Sequence, residues 1–122
     1  SSRTQSVPPR NPFHALEDIL EAIGKIRTYT SRMTFEIFTS DNKTIDAVIR
    51  NLEVIGEAAA SVPADFQVEH PEIPWEDMRA MRNVLIHEYF GVSVPIVWDT
   101  VKRDLPPLAA DIEKVLGSRG RA

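Results

Sequence analysis

Apolar residues recur along this chain at intervals of three and four, and that spacing predicts helices from one end to the other. Leu16, Ile19, Leu20, Ile23 and Ile26 form one stripe, introduced by Asn11-Pro12, a capping side chain followed by proline at the first helical position. Ile45, Val48, Leu52, Ile55, Ala59 and Val62 form a second stripe, in a helix expected from about Asp41 to Ser61, and Thr34 to Phe38 adds a short helical turn between the two. Prolines stand at 8, 9, 12, 63, 71, 74, 95, 106 and 107, which leaves residues 13–62 and 75–94 free of the residue least tolerated inside a helix. Val62 to Ile73 reads as a connection. Pro74 opens a third long helix through Tyr89, with Gly91 in the usual stop position. Ser93 caps a fourth helix through about Arg103, and the last covers roughly Pro106 to Leu116. Gly24 and Gly56 fall inside the first two long helices, where glycine costs about 1 kcal/mol relative to alanine. A close helix crossing at each would offset that cost. Nothing alternates with the period of a strand, and no segment repeats. The expected architecture is an all-α, up-and-down helical bundle over 12–116, with a flexible arm at 1–11 and a basic tail at 117–122.

Composition narrows the functional classes. With 43% hydrophobic and 26% charged residues in 122, the chain fits one soluble globular unit. Cysteine is absent, which removes disulfides and thiolate metal sites and fits a reducing compartment. No run approaches the roughly 18 apolar residues of a membrane span, and no apolar signal core opens the sequence, so the expected location is cytoplasmic. A net charge of −4 argues against a broad basic surface for nucleic acid. Any polyanion must be held locally.

The third helix offers such a place, in Arg82-Asn83-Val84-Leu85-Ile86-His87-Glu88-Tyr89. On a wheel of about 100° per residue, Met78, Met81, Val84, Leu85 and Tyr89 share a core side. Arg79, Asn83, Ile86, His87 and Phe90 share the other, with Arg82 at its border. Ile86 and Phe90 are too apolar for a plain solvated face, so another surface is expected to cover them. A second copy of the chain is the natural cover, giving a homodimer whose cleft holds two arginines and two histidines, with Arg79, Ile86 and Phe90 at the interface. There His87 could take the proton of a ribose 2′-hydroxyl, which attacks its own 3′-phosphate without a metal. Arg82 would neutralise the charge building on the phosphate oxygens, and Asn83 would orient the imidazole or the phosphate.

Arg82 and His87, four residues apart, match the Arg-x4-His element of the HEPN ribonucleases, and Tyr89 extends it to Arg-x4-His-x-Tyr. The chain resembles the HepT toxin branch of that superfamily. Its likeness runs from roughly Leu16 to Leu116, through Leu16-Glu17-Asp18-Ile19-Leu20, Asp46-Ala47-Val48-Ile49-Arg50-Asn51-Leu52, Ile55-Gly56-Glu57-Ala58, Pro71-Glu72-Ile73-Pro74-Trp75, Arg82 to Gly91, and Val97-Trp98. The resemblance implies a dimeric HEPN-like bundle acting as a metal-independent endoribonuclease that leaves a 2′,3′-cyclic phosphate. It also implies the toxin role in a type VII-like toxin–antitoxin module, opposite a MntA-type nucleotidyltransferase antitoxin that transfers AMP onto Tyr89. Its substrates are RNA, transfer RNA among them. Phosphates added beside Arg82 would fill the anion site and repel RNA.

Simpler roles stand beside these. Arg82 could serve as a surface salt bridge to Glu76, Asp77 or Glu88, Asn83 as a structural cap, and Tyr89 as a core aromatic with a polar tip. Trp75 and Trp98 read as packing anchors, and Glu57 as a structural partner for Arg82 or Arg50. No glycine-rich phosphate loop and no metal-ligand spacing is present, so no cofactor is expected. The competing class is a non-catalytic helical module that docks a nucleotidyltransferase or binds nucleotide.

Overall fold

The computed structural model describes residues 11–87 and 93–118, and gives the backbone alone at Met81 and at residues 83–87. Most of the N-terminal arm, the end of the basic tail, and Tyr89 and Phe90 lie outside the described residues.

Helices begin where side chains replace missing backbone partners. Asn11 Oδ1 accepts from the Phe13 amide at 2.9 Å and Pro12 follows it, so α1 runs Pro12–Thr30. Thr34 caps α2 (Phe35–Thr39) through the Ile37 amide at 3.2 Å. Asp41 caps α3 (Asn42–Ala60), accepting from the Thr44 amide at 3.1 Å and the Thr44 hydroxyl at 2.8 Å. The amide of Thr44 first, and its hydroxyl second, hold the Asp41 carboxyl below the ordinary 3.8.

Two expectations need correction. The stretch Val62 to Ile73 is more than a connection, since Ala64–Glu69 forms α4 and buries Phe66. Six residues are too few to display a helical period in sequence. After α5 (Trp75–His87) and α6 (Val94–Asp99), the anticipated break before Pro106 is also absent. A π-helical turn, Thr100–Asp104, joins α6 directly to α7 (Leu105–Ser118). Pro106 and Pro107 have no N–H for the carbonyls one turn back, and in α geometry their rings would press on those carbonyls. The wide turn, in which the Leu105 amide reaches the Thr100 carbonyl, relieves that conflict.

Among the described residues every regular element is helical. Helix α3 takes the central place, with α1 and α5 both packed on it and α7 set against α1. The core is the one that the stripes predict: Leu16, Ile19, Ile23 and Ile26 meet Val48 and Leu52, and Leu105 and Ile112 close from α7. Phe38 is fully buried beside Trp98, their ring centres 5.0 Å apart. Gly24 departs from expectation, for it is exposed and nothing lies within 4 Å of the Cβ it lacks. No described helix is long and apolar enough to cross a membrane.

Candidate functional site

Helix α5 carries the candidate chemistry, and an aromatic cluster fixes its start. Trp75 is buried, its indole Nε1 donating to the His70 carbonyl at 2.9 Å. Phe66 packs edge-on against Trp75 and Phe13, at 6.2 and 5.4 Å between ring centres, and lies 4.4 Å from His70. Trp75 therefore anchors α5 on α4 directly and on α1 through Phe66, as its expected packing role requires. His70 caps the end of α4, its amide donating to the Gln67 carbonyl, and its Nδ1 sits 3.6 Å from Glu72.

One turn on, Met78 is buried, and one turn further Arg82 follows it on the same stripe. Trp75, Met78 and Arg82 fall within roughly 60° of arc, so the face of α5 that meets the bundle includes the arginine. It fits because its opposite number on α3 is Gly56. A Cβ built there would overlap the Cβ of Arg82, with Cγ 3.1 Å and Cα 3.3 Å away. The close crossing expected at Gly56 is real, and Arg82 is what crosses it. The wheel left Arg82 at the border of the outer face because it records direction but not which neighbour leaves room.

Burial at this crossing has an electrostatic consequence. Arg82 is half-buried, and its Nε is shielded from solvent with no hydrogen-bond partner among the described residues. A buried donor without an acceptor is costly, about 1–3 kcal/mol, so the position favours any oxygen that can reach it. Arg79, by contrast, is already engaged. Its Nη1 donates to Gln67 Oε1 at 2.8 Å and its Nη2 lies 3.8 Å from Glu76, while Gln67 is itself tied to the Val62 carbonyl at 3.0 Å. Glu57 is exposed, and Arg50 pairs with Glu53 at 4.0 Å.

The backbone of α5 continues to His87, so Arg82, Asn83 and His87 belong to one uninterrupted helix. Ideal geometry sets His87 about 7.5 Å along the axis from Arg82 and about 140° around it. Among the described residues no three His, Asp or Glu side chains gather as a metal site. A separate groove of about 470 Å³ lies between α3, α5 and the α6–α7 segment. Leu52, Ile55, Met78 and Leu108 contribute to its apolar wall, Asp77, Asp104 and Asp111 also line it, and Arg82 does not.

Gly56 was visible in the sequence as a crossing point but not as a neighbour of the arginine. The signal is a glycine inside a long helix, where it costs about 1 kcal/mol relative to alanine. Gln67 gave no signal at all.

Comparison with known proteins places these features in a wider group. The family described as "Ribonuclease HepT-like" matches residues 19–115. A protein named "Probable ribonuclease HepT" from Thermococcus cleftensis is 54% identical over 82% of this chain and 91% of its own length. A "Putative RNase" of Methanocaldococcus jannaschii is 43% identical over 90% of this chain and 91% of its own. Another, from Caldanaerobacter subterraneus, is 36% identical over 88% of this chain and 96% of its own. No solved structure matches.

Proposed function

This chain belongs to the ribonuclease HepT-like family, and from that premise we propose that it is a metal-independent endoribonuclease of the HEPN type. The observation that carries the reading is the buried Nε of Arg82 at the α3–α5 crossing, without a partner among the described residues and on the same helix as His87. Phosphate supplies the oxygen that this donor lacks, and planar Nε/Nη pairing is the strongest way for an arginine to hold it.

In the proposed reaction the His87 imidazole takes the proton of a ribose 2′-hydroxyl. The 2′-oxygen forms a bond to the adjacent phosphorus and the bond to the 5′-oxygen breaks, leaving a 2′,3′-cyclic phosphate and a 5′-hydroxyl. Arg82 stabilises the extra negative charge on the phosphoryl oxygens. Asn83, next to Arg82 on the helix, orients the reacting groups. Because Arg82 and His87 leave the helix axis about 140° apart, convergence on a single phosphate is best met by two copies of α5. The homodimer is therefore part of the proposal, with Arg79, Ile86 and Phe90 at its interface. By symmetry the second copy's imidazole is available to return a proton to the leaving 5′-oxygen.

We further propose that the protein is the toxin of a type VII-like toxin–antitoxin module, acting on RNA in the cytoplasm, transfer RNA among its targets. A MntA-type nucleotidyltransferase antitoxin would silence it. The Tyr89 hydroxyl attacks the α-phosphate of ATP, pyrophosphate leaves, and the added AMP fills the anion site beside Arg82.

The test is cleavage of cellular RNA by purified protein and by its His87→Ala variant at matched dimer concentration. Loss of cleavage and of growth inhibition in the variant, with the dimer intact, is the expected result. Equal cleavage by both proteins rejects the role of His87. Intact-mass measurement after incubation with ATP and the nucleotidyltransferase should show increments of AMP on Tyr89.

A further inference from the structure

We propose that Gly56 is a positioning residue for the Arg82 guanidinium, its missing side chain setting the depth at which α5 settles on α3. The atoms that a Cβ at position 56 would meet are the Cβ, Cγ and Cα of Arg82. These are the root of the side chain and its backbone, not a flexible end that can swing away. A methyl group at 56 must therefore move α5 itself or turn Arg82 about its first bond. Upstream on the same stripe Trp75 and Met78 are 6% and 4% exposed, so the helix cannot slide along α3 to escape.

Gly24 supplies the internal comparison. It too lies inside a long helix, yet nothing lies within 4 Å of its absent Cβ. Close approach is thus specific to position 56, where it coincides with the one buried unsatisfied side-chain donor among the described residues. With the stem of Arg82 pressed on bare α3 backbone, Nε is held back from solvent. An anion that pairs with it must settle at the crossing itself. Such an arrangement suits a phosphodiester, whose two non-bridging oxygens match the Nε and Nη donors. In its catalytic sense the inference rests on the ribonuclease reading, whereas the anion site and its dependence on Gly56 can be measured apart from it.

The experiment uses the full chain labelled with nitrogen-15, follows the Arg82 Nε–H resonance during titration with inorganic phosphate, and compares RNA cleavage in parallel. Wild type should give a saturable shift of that resonance. Gly56→Ala should weaken phosphate binding at least tenfold among folded molecules and raise KM for RNA, with the pH profile of kcat unmoved. A purely structural role would instead lower the active fraction, reducing kcat at constant KM. Gly24→Ala should match wild type in both assays.

Equal phosphate affinity in Gly56→Ala and wild type would overturn the positioning role while leaving the nuclease reading untouched. A phosphate response without RNA cleavage would reject the nuclease and keep the anion site, and no response in wild type would overturn the inference itself. If Gly56→Ala fails to fold, wild type decides. A strong nuclear Overhauser effect between the Gly56 Hα and Arg82 Hβ protons, with a single Arg82 χ1 rotamer, is expected, and averaged rotamers without that contact would overturn the proposal.

Discussion

Adding one methyl group to each helical glycine should change stability in opposite directions. At Gly24 the new Cβ meets nothing within 4 Å, so alanine brings only its better helix propensity. That is about 0.8–1 kcal/mol per interior glycine. At Gly56 the same propensity gain is set against overlap with the Cβ of Arg82 and tight approaches of 3.1 Å to Cγ and 3.3 Å to Cα. Overpacking of this kind costs about 1–3 kcal/mol, and it falls at the upper end when the obstructing atom is at the root of a side chain. The net expectation is stabilisation of about 0.5–1 kcal/mol for Gly24→Ala and a loss of about 1–2 kcal/mol for Gly56→Ala. Urea denaturation followed by circular dichroism resolves the two. With a slope of about 2 kcal/mol per molar, the midpoints should move up by roughly 0.3–0.5 M and down by roughly 0.5–1 M, with the slope unchanged. A double-mutant cycle identifies the cause, since Arg82→Gly removes the opposing Cβ and should recover at least about 1 kcal/mol of the Gly56→Ala loss. If Gly56→Ala proves as stable as Gly24→Ala, the close crossing and everything built on it are wrong.

Other consequences are simpler to state. Trp75→Phe keeps an aromatic ring at this site but leaves the His70 carbonyl without its 2.9 Å indole donor, and should lower stability by about 1–2 kcal/mol in the same denaturation assay. Phe38→Ala empties a fully buried site beside Trp98 and should cost about 3–5 kcal/mol, together with loss of near-ultraviolet tryptophan signal. Arg32 adopts a φ of 67°, so Arg32→Gly should raise the thermal midpoint slightly, by the equivalent of about 0.5 kcal/mol. The depressed Asp41 carboxyl is a cap that is fully effective above its unfolded value near 3.8 and is lost as pH falls through its lower folded value. Carbon-13 titration should place its midpoint below 3.8, and Asp41→Ala should flatten the acid limb of the stability curve in that window.

What could be read in advance was whatever local chemistry decides. Asn11-Pro12 announces the start of α1 as a capping side chain and a helix-opening proline, and the sequence places the starts of α2 and α3 within a residue, near Thr34 and Asp41, whose capping bonds the structure supplies. The core stripes were equally plain, because a period of 3.6 repeated over four or five turns has no competing interpretation. Features that depend on distant partners were not visible. Helix α4 earns its place through Phe66 meeting Phe13 and Trp75, and Arg79 is held by a glutamine twelve residues earlier in the chain. Arg82 was singled out by its spacing from His87. Its burial at Gly56 was not, because amphipathic geometry ranks directions without knowing the depth of the opposing surface. The same limit misplaced Gly24, whose sequence setting looks like that of Gly56 and whose surroundings are empty.

The π-helical turn at Thr100–Asp104 gives the second half of the chain an unusual freedom in length. Such a turn is an α-helix carrying one extra residue, absorbed locally so that the segments on either side keep their facing. Deleting a residue there, and replacing Pro106 and Pro107 with residues that carry an amide hydrogen, should draw α6 and α7 together by about 1.5 Å while Val97 above and Ile112 below still look inward. An insertion or deletion elsewhere along either helix would instead swing every following residue through about 100°. Relatives whose sequences differ by one residue in this half should therefore place the gap at that turn, and should gain or lose the paired prolines along with it.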